Sequence, residues 1–418
     1  MKRLFKAAAF MLAFVPLSAK ADLFSITLTQ GSNTTTKGFT SVMDIFDQYE
    51  DGTLDTILAR YNPNDPANGI LDFRGIRMEL NYTDGGSLGK QLVFNVPAIG
   101  INNLTFEGRT QEQAFDAFKE YLKTNQDDLL TKILKESVSH TPYDAVAGNP
   151  SSLMAQMTDI AFSNPTLNVT ERALVSGQSG GFVILSPSGG SHKIKGEDGV
   201  ERTATTLNLP LGYTFKFDNN WALGIDLPLS YIDLDGSVTY AAQLGMSLQI
   251  PLYKDKWLLT ASGRVGATAS EDSLSGGILY MASVTSSYTF NIAETAVTII
   301  NMYGHIQDYT LDVKGYDIEY GLKNDVFKNG LAIKQKLSEK TALTVFGYDT
   351  RYTGSDLYID AYDEVGLSFT KYFSKDSFFT GIDLTASYTF GDNYKAWHCC
   401  SNRFLTSGGR VTYNIKKK

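Results

Sequence analysis

Cysteine is nearly absent. The chain has two in 418 residues, adjacent at Cys399 and Cys400, which excludes a multi-disulfide scaffold. Long apolar runs are missing as well. Beyond the first 21 residues no stretch approaches the roughly 18 apolar residues of a membrane-spanning helix, so a helical membrane bundle is excluded. Positive charge is in deficit: 37 Lys and Arg against 45 Asp and Glu leave a formal charge of −8 and a pI near 5.2. A nucleic-acid binder needs the opposite balance. The four histidines, His140, His192, His305 and His398, are widely separated and have no metal-ligand spacing. What is present is a chain of 43% hydrophobic and 20% charged residues with a mean hydropathy of −0.15, which is not the signature of disorder. With 24 Phe, 23 Tyr and 37 Gly, the composition suits β-sheet with many turns.

The start of the chain reads as an export signal over 1–21. A basic Met1–Lys6 is followed by apolar Ala7–Leu17 and an A-x-A cleavage site ending at Ala21. Eleven apolar residues are too few to span a bilayer. The mature chain is therefore expected outside the inner membrane, with no spanning helix.

Residues 22–169 are of mixed period and predict a small α+β unit ending in a helix. Apolar residues recur at helical spacing through Val42–Tyr61. Alternation at Ile76–Tyr82 and Leu92–Val96, on either side of Asp84-Gly85-Gly86, predicts a hairpin. Thr110 and Gln113 form a capping-box pattern ahead of a helix with Phe115, Phe118 and Tyr121. A second helix carries Leu129, Leu130, Ile133 and Leu134, and Asn149-Pro150 opens a third with Leu153, Met157 and Ile160.

From 170 to 418 the period is two. Leu207 to Phe217, Trp221 to Tyr231 and Val238 to Ile250 alternate apolar and polar residues without a break. Twelve such strands are expected, at about 172–187, 202–217, 219–233, 237–252, 256–268, 276–290, 294–307, 316–337, 340–352, 356–373, 376–390 and 403–415. Most exceed the roughly 5–6 residues of a soluble strand and suit the 9–11 that cross hydrocarbon, plus overhang. Connections alternate between short turns, such as Asp218–Asn220 and Ser338–Lys340, and longer loops, such as Ser188–Glu201 and Gly391–Asn402. Phe217, Trp221, Tyr253, Trp257, Phe290, Phe373 and Phe378 sit beside the short turns as a girdle would. The fold class expected is mainly β, a 12-stranded antiparallel transmembrane β-barrel behind a small α+β N-terminal unit. Asp325–Gly330 reads either as a bulge or as a turn adding two strands.

This architecture resembles an autotransporter β-domain, in its solitary form without a long secreted passenger. The resemblance rests on the twelve strands behind a signal and a helix-ended preface, not on a short motif. It implies a cell outer-membrane location, the lipid bilayer and the barrel-insertion machinery as partners, both barrel termini in the periplasm, and a 151–163 helix that enters or plugs the lumen. Lys416-Lys417-Lys418 departs from the usual aromatic terminus, and β-helical passenger repeats are missing, so passenger self-cleavage is not expected. A small-solute channel is the alternative function, with an outer-membrane hydrolase a third reading behind it.

Polar-parity positions face the lumen of such a barrel. They include Lys216, Asp226, Gln243, Gln249, Arg264, Lys334, Glu364, Asp383 and Arg410, of which Asp226, Arg264, Glu364, Asp383 and Arg410 are the candidate pore residues. Gly177-Gln178-Ser179-Gly180-Gly181 matches G-x-S-x-G, but a strand rather than a helix is expected after it, so no nucleophile elbow forms. No catalytic residue, cofactor or metal is expected. Cys399 and Cys400 are expected as an oxidised vicinal pair stiffening the last long loop. With His398 alone they make an incomplete ligand set for structural zinc.

Overall fold

The computed structural model describes residues 23–39, 41, 57–59, 61–62, 65–163, 180–196, 199–253, 256–270, 275–313, 316–373 and 381–407. The export signal, most of the helical stretch expected over 42–61, Ser179 and Arg410 lie outside the described residues.

The N-terminal part is a six-stranded antiparallel sheet. It comprises β1 (Phe24–Gln30), β2 (Asn33–Phe39), β3 (Ala67–Phe73), β4 (Ile76–Asp84), β5 (Lys90–Val96) and β6 (Ile101–Gly108), in the order β2-β1-β3-β4-β5-β6. The expected hairpin is β4–β5; the other four strands extend it on both sides. Register places Phe24 beside Phe73, and Leu92 between Tyr82 and Phe106, so one face is apolar. That face is covered by α1 (Gln111–Thr124) and α2 (Gln126–His140), with Phe118 within 5.1 Å of Phe94 and 5.4 Å of Phe106, ring to ring. The expected cap forms in its first half, with Gln113 N donating to Thr110 Oγ1, while the Gln113 side chain accepts from Arg109 N, one residue before the cap.

The third helix, α3 (Leu153–Ser163), begins later than Asn149-Pro150 implies. Asn149 turns the chain by accepting from Ser151 N and Oγ, and Ser152 Oγ then accepts from Ala155 N as the helix cap. From Thr141 to Thr158 every residue is buried.

Twelve antiparallel strands then close on themselves. The first is split by Pro187, which has no N–H for the ladder, into β7 (Gly180–Leu185) and β8 (Ser188–Lys195), both lying between the second strand and the last. Next come β9 (Glu201–Lys216), β10 (Ala222–Leu234), β11 (Ser237–Tyr253), β12 (Trp257–Ser270), β13 (Ser275–Ile292) and β14 (Thr295–Tyr309). A small hairpin, β15 (Leu311–Val313) and β16 (Tyr316–Ile318), rises from the loop that follows. The wall resumes with β17 (Lys323–Ser338), β18 (Thr341–Gly354), β19 (Ala361–Tyr372), β20 (Gly381–Gly391) and β21 (Tyr394–Ser407), and β21 pairs with β7 and β8. The unbroken strands β9–β14 and β17–β21 are 11 to 18 residues long. Asp325–Gly330 runs straight through β17 and is neither turn nor bulge, which fixes the count at twelve.

Two expectations about the wall fail at the seam. Ser188–Glu201 is largely strand β8, not a long loop, and Gly391–Asn402 holds a tight turn at Asp392-Asn393 followed by β21. Trp397, His398, Cys399 and Cys400 therefore lie in a strand. The outward positions carry Ser191, Lys193 and Lys195 on β8 and Lys395 and Trp397 on β21, so Trp397, 66% exposed, is the one large apolar residue among them and no run of apolar parity advertises these strands. The side chains of Cys399 and Cys400 are outside the described residues.

The two ends of the barrel differ. Turns at 217–221, 293–294 and 339–340 mark one end, where Gly180 enters opposite Lys216 and Leu405 leaves opposite Gly381. The N-terminal unit meets the other end. Tyr358 N donates to Val138 O at 2.8 Å, Ile359 N to Gly148 O at 3.1 Å, and Arg202 Nη1 to Tyr143 Oη at 2.6 Å.

Candidate functional site: the barrel lumen

Side-chain polarity is inverted relative to a soluble sandwich. On β9–β12 the buried inward positions are mostly polar, among them Thr206, Thr214, Lys216, Asp226, Gln243, Ser247, Gln249, Thr260 and Arg264, with Ala204, Ala222, Ile232, Ala241 and Leu258 between them. The outward positions are apolar and bare, with Leu227 46% and Met246 57% exposed. Eleven residues, Leu207 to Phe217, the last just beyond β9, carry an apolar outward face, which spans about 25 Å of hydrocarbon once the strand tilts by roughly 40°. Water would not sustain that surface. The exterior is that of a transmembrane barrel.

Asp226 and Arg264 come together as one unit. They flank Gly245 in a single register row, and Arg264 Nη1 donates to Asp226 Oδ1 at 2.8 Å and to Gln243 Oε1 at 3.1 Å. A Cβ on Gly245 would stand 2.4 Å from Asp226 Oδ2 and 2.9 Å from Arg264 Nη2, so the absent side chain is what lets the pair bridge one strand. Both side chains are 2% exposed. Glu364 on β19 and Asp383 on β20 line a cavity of about 510 Å³ on another part of the wall and do not join that pair. The cavity is otherwise rich in hydroxyls, among them Thr260, Thr285, Thr370 and Ser387, with Lys328 and Lys334 on β17 and Pro150, Gln156, Asp159 and Phe162 from the helical segment.

α3 packs inside the barrel against this lining. Leu153 and Met157 lie against β12, and Thr158, Asp159 and Phe162 reach the opposite part of the wall. Lys328 Nζ, on a side chain 2% exposed, donates to Asp159 Oδ1 at 2.6 Å and lies 5.2, 5.7 and 5.8 Å from the ring centres of Phe162, Tyr348 and Tyr362. Tyr352 Oη donates to Thr158 Oγ1 at 3.0 Å. Gly266 and Gly330 make room: a Cβ on Gly266 would meet Leu153 Cδ1 at 2.9 Å, and one on Gly330 would meet Phe162 Cζ at 2.9 Å. Lys328 was not among the candidate residues, because the Asn329-Gly330 turn signal obscured the inward parity it shares with Asn324 and Val326. Asp159 had no signal at all, since helix periodicity does not tell a helix inside a lumen from one beside a sheet.

Where α3 leaves the N-terminal unit, Asp144 is a buried hub. Arg74 Nη1 donates to Asp144 Oδ2 at 3.1 Å with both side chains fully buried, and Ser137 Oγ and Tyr320 Oη each reach the same oxygen at 3.3 Å. Arg74 occupies a left-handed turn position (φ 53°) between β3 and β4, which aims its guanidinium at the junction. Burial, and then the neighbouring Asp144 carboxylate, push the Tyr320 phenol well above its ordinary range.

His192 in β8 is buried in the seam, bonded through Nδ1 to Tyr394 Oη and through Nε2 to Thr206 Oγ1 at 2.9 Å, with His398 ring to ring at 5.0 Å. Among the described residues no three His, Cys, Asp or Glu side chains gather as a metal site. His305 lies on the outer wall, bonded to Asp325.

A closed twelve-stranded transmembrane β-barrel with a helix packed in its lumen is the class that fold and lining define. No family's sequence profile and no curated protein matches the chain. Among solved structures it is similar to the translocator domain of the autotransporter NalP from Neisseria meningitidis, at 14% identity over 61% of this chain and 95% of that one, with a TM-score of 0.45. It is also similar to the β-domain of the Bordetella autotransporter BrkA, at 12% identity over 55% and 98%, TM-score 0.41. An outer membrane channel from Pseudomonas putida F1 is matched at 12% identity over 55% and 94%, TM-score 0.40.

Proposed function

We propose that this protein is an outer-membrane barrel of autotransporter-like type whose lumen is occupied by α3 and whose N-terminal unit is carried at the mouth opposite the barrel's chain ends. The ion pair between Lys328 in the wall and Asp159 in the helix is the observation that carries this reading. Few other arrangements explain a lysine buried inside a barrel and aimed at a helix from the preceding segment. With both chain ends of the barrel on the periplasmic side, the 23–148 unit faces the exterior. Insertion relies on the barrel-assembly machinery, and residues 1–21 direct export.

A small-solute channel is the second reading, favoured by the 510 Å³ of hydroxyl-lined space beside α3, with Lys334, Glu364 and Asp383 on its walls. Planar-bilayer recordings separate the two. Chain 22–418 is expected to conduct weakly and chain 170–418 strongly. Equal conductance from both would remove the occupied-lumen reading and leave the channel.

A further inference from the structure

Most of the outer wall is apolar at every second position, and besides the β8–β21 seam a second sector departs from this. Asn301 on β14, Asn329 on β17, Asp349 on β18 and Asp363 on β19 share one register row, and all four side chains point outward. The first two lie within the apolar belt. Asn301 is flanked along its strand by Ile299 and Tyr303, 44% and 47% exposed, and Asn329 by Phe327 and Leu331, 43% and 47% exposed. Asn301 Nδ2 donates to Asn329 Oδ1 at 2.8 Å, which satisfies one group of each amide; among the described residues nothing meets the other two. Hydrocarbon offers no partner for them. Toward the loop end of the same sector, His305 Nδ1 and Tyr303 Oη bond to Asp325, each at 2.8 Å, and Arg351 bridges Asp349 and Asp363 at 2.6 and 3.5 Å. Gly347 leaves a notch beside the row, with nothing nearer than 3.8 Å to where its Cβ would be.

We infer that this β14-β17-β18-β19 face is a lateral interface with a second copy of the chain in the membrane. The inference rests on the transmembrane reading above. Two copies inserted the same way are related by a two-fold axis along the membrane normal, and an axis between β17 and β18 exchanges β17 with β18 and β14 with β19. The charges on those strands are complementary under that exchange. Asp325 on β17 then comes within reach of Arg351 on β18 of the second copy, the two lying two positions apart along the register. The free amide groups of the Asn301–Asn329 pair meet polar groups of the other copy instead of lipid, and the Gly347 notch allows the walls to approach. A row of four strands, about 14 Å wide at roughly 4.8 Å per strand, is a width that two convex barrels can bring into contact.

Sedimentation equilibrium of the full mature chain in neutrally buoyant detergent micelles tests this. The wild type is expected to show a reversible monomer–dimer equilibrium. Asn301→Leu with Asn329→Leu, and separately Arg351→Glu, should raise the dimer dissociation constant at least tenfold. Asp325→Lys combined with Arg351→Glu should restore association, which a merely structural effect of either change would not do. Heat-modifiable migration on gels is read for every variant. A heat-modifiable wild type that stays monomeric, or variants that dimerise as tightly as wild type, would overturn the interface. A chain with no heat-modifiable form would instead overturn the membrane barrel itself.

Discussion

Asp226 and Leu227 are neighbours in β10 that face different media. Asp226 turns into the lumen, where Arg264 and Gln243 complete its hydrogen bonds. Leu227 turns outward and is 46% exposed, in the middle of a run that includes Ile225 and Leu229. Polarity at each position is therefore set by which side of a one-residue pleat it occupies. Leu227→Arg places a charge at the middle of the lipid face and should destabilise the barrel by about 2–4 kcal/mol. Asp226→Leu leaves Arg264 buried without its counter-charge and should cost about 3–5 kcal/mol. Urea unfolding in lipid vesicles, followed by tryptophan emission, measures both. A soluble sandwich would give the reverse pattern at position 227, where exposure to water would make the arginine harmless.

At the scale of elements, the junction between α2, the 141–152 segment and the barrel mouth is held by Asp144 and its partners. Tyr320 sits there with its phenol held protonated by burial and by the carboxylate beside it. Its folded pKa lies above the unfolded value of about 10, so its contribution is complete below that pH and is lost as pH rises further. Protease cleavage of the N-terminal unit should accelerate above about pH 10 in the wild type, and Tyr320→Phe should flatten that alkaline rise. The alternation that identified β9 to β14 works because lipid outside and polar lumen inside demand opposite residues at successive positions. It fails at β8 and β21, where outward Lys193, Lys195 and Lys395 stand beside a single large apolar residue, Trp397, and leave no apolar run to read. The Asp226–Arg264 pair was foreshadowed as two lumen charges, but their joining depended on register through Gly245, which spacing along the chain does not encode. Of the four added strands of the N-terminal sheet, β2 was hidden differently: it reads Asn33-Thr34-Thr35-Thr36-Lys37, which has no apolar face of its own to find.

For the whole molecule, the decisive relation is between one helix and one wall. The chain leaves the N-terminal unit at the loop end of the barrel and re-enters the wall at Gly180, at the turn end. Within that crossing, α3 provides 11 residues, about 16 Å of rise. Its seat is shaped as well as charged, because Gly330 is the point where Phe162 and Tyr348 crowd the wall. A Cβ at Gly330 would lie 2.7 Å from Tyr348 Cδ1 and 2.9 Å from Phe162 Cζ, and both are edges of rings held in an aromatic group with Lys328. Gly330→Val should therefore displace α3 without disturbing the strand ladder, since a β-branched residue suits a strand. The expected result is a several-fold rise in single-channel conductance with heat-modifiable migration unchanged. Gly263→Val is the matched control, because a Cβ there meets nothing within 4 Å on the outer wall, and it should leave conductance as in the wild type. Unaltered conductance in Gly330→Val would mean that α3 does not limit the passage, and the helix would then be a tether for the N-terminal unit rather than an obstruction.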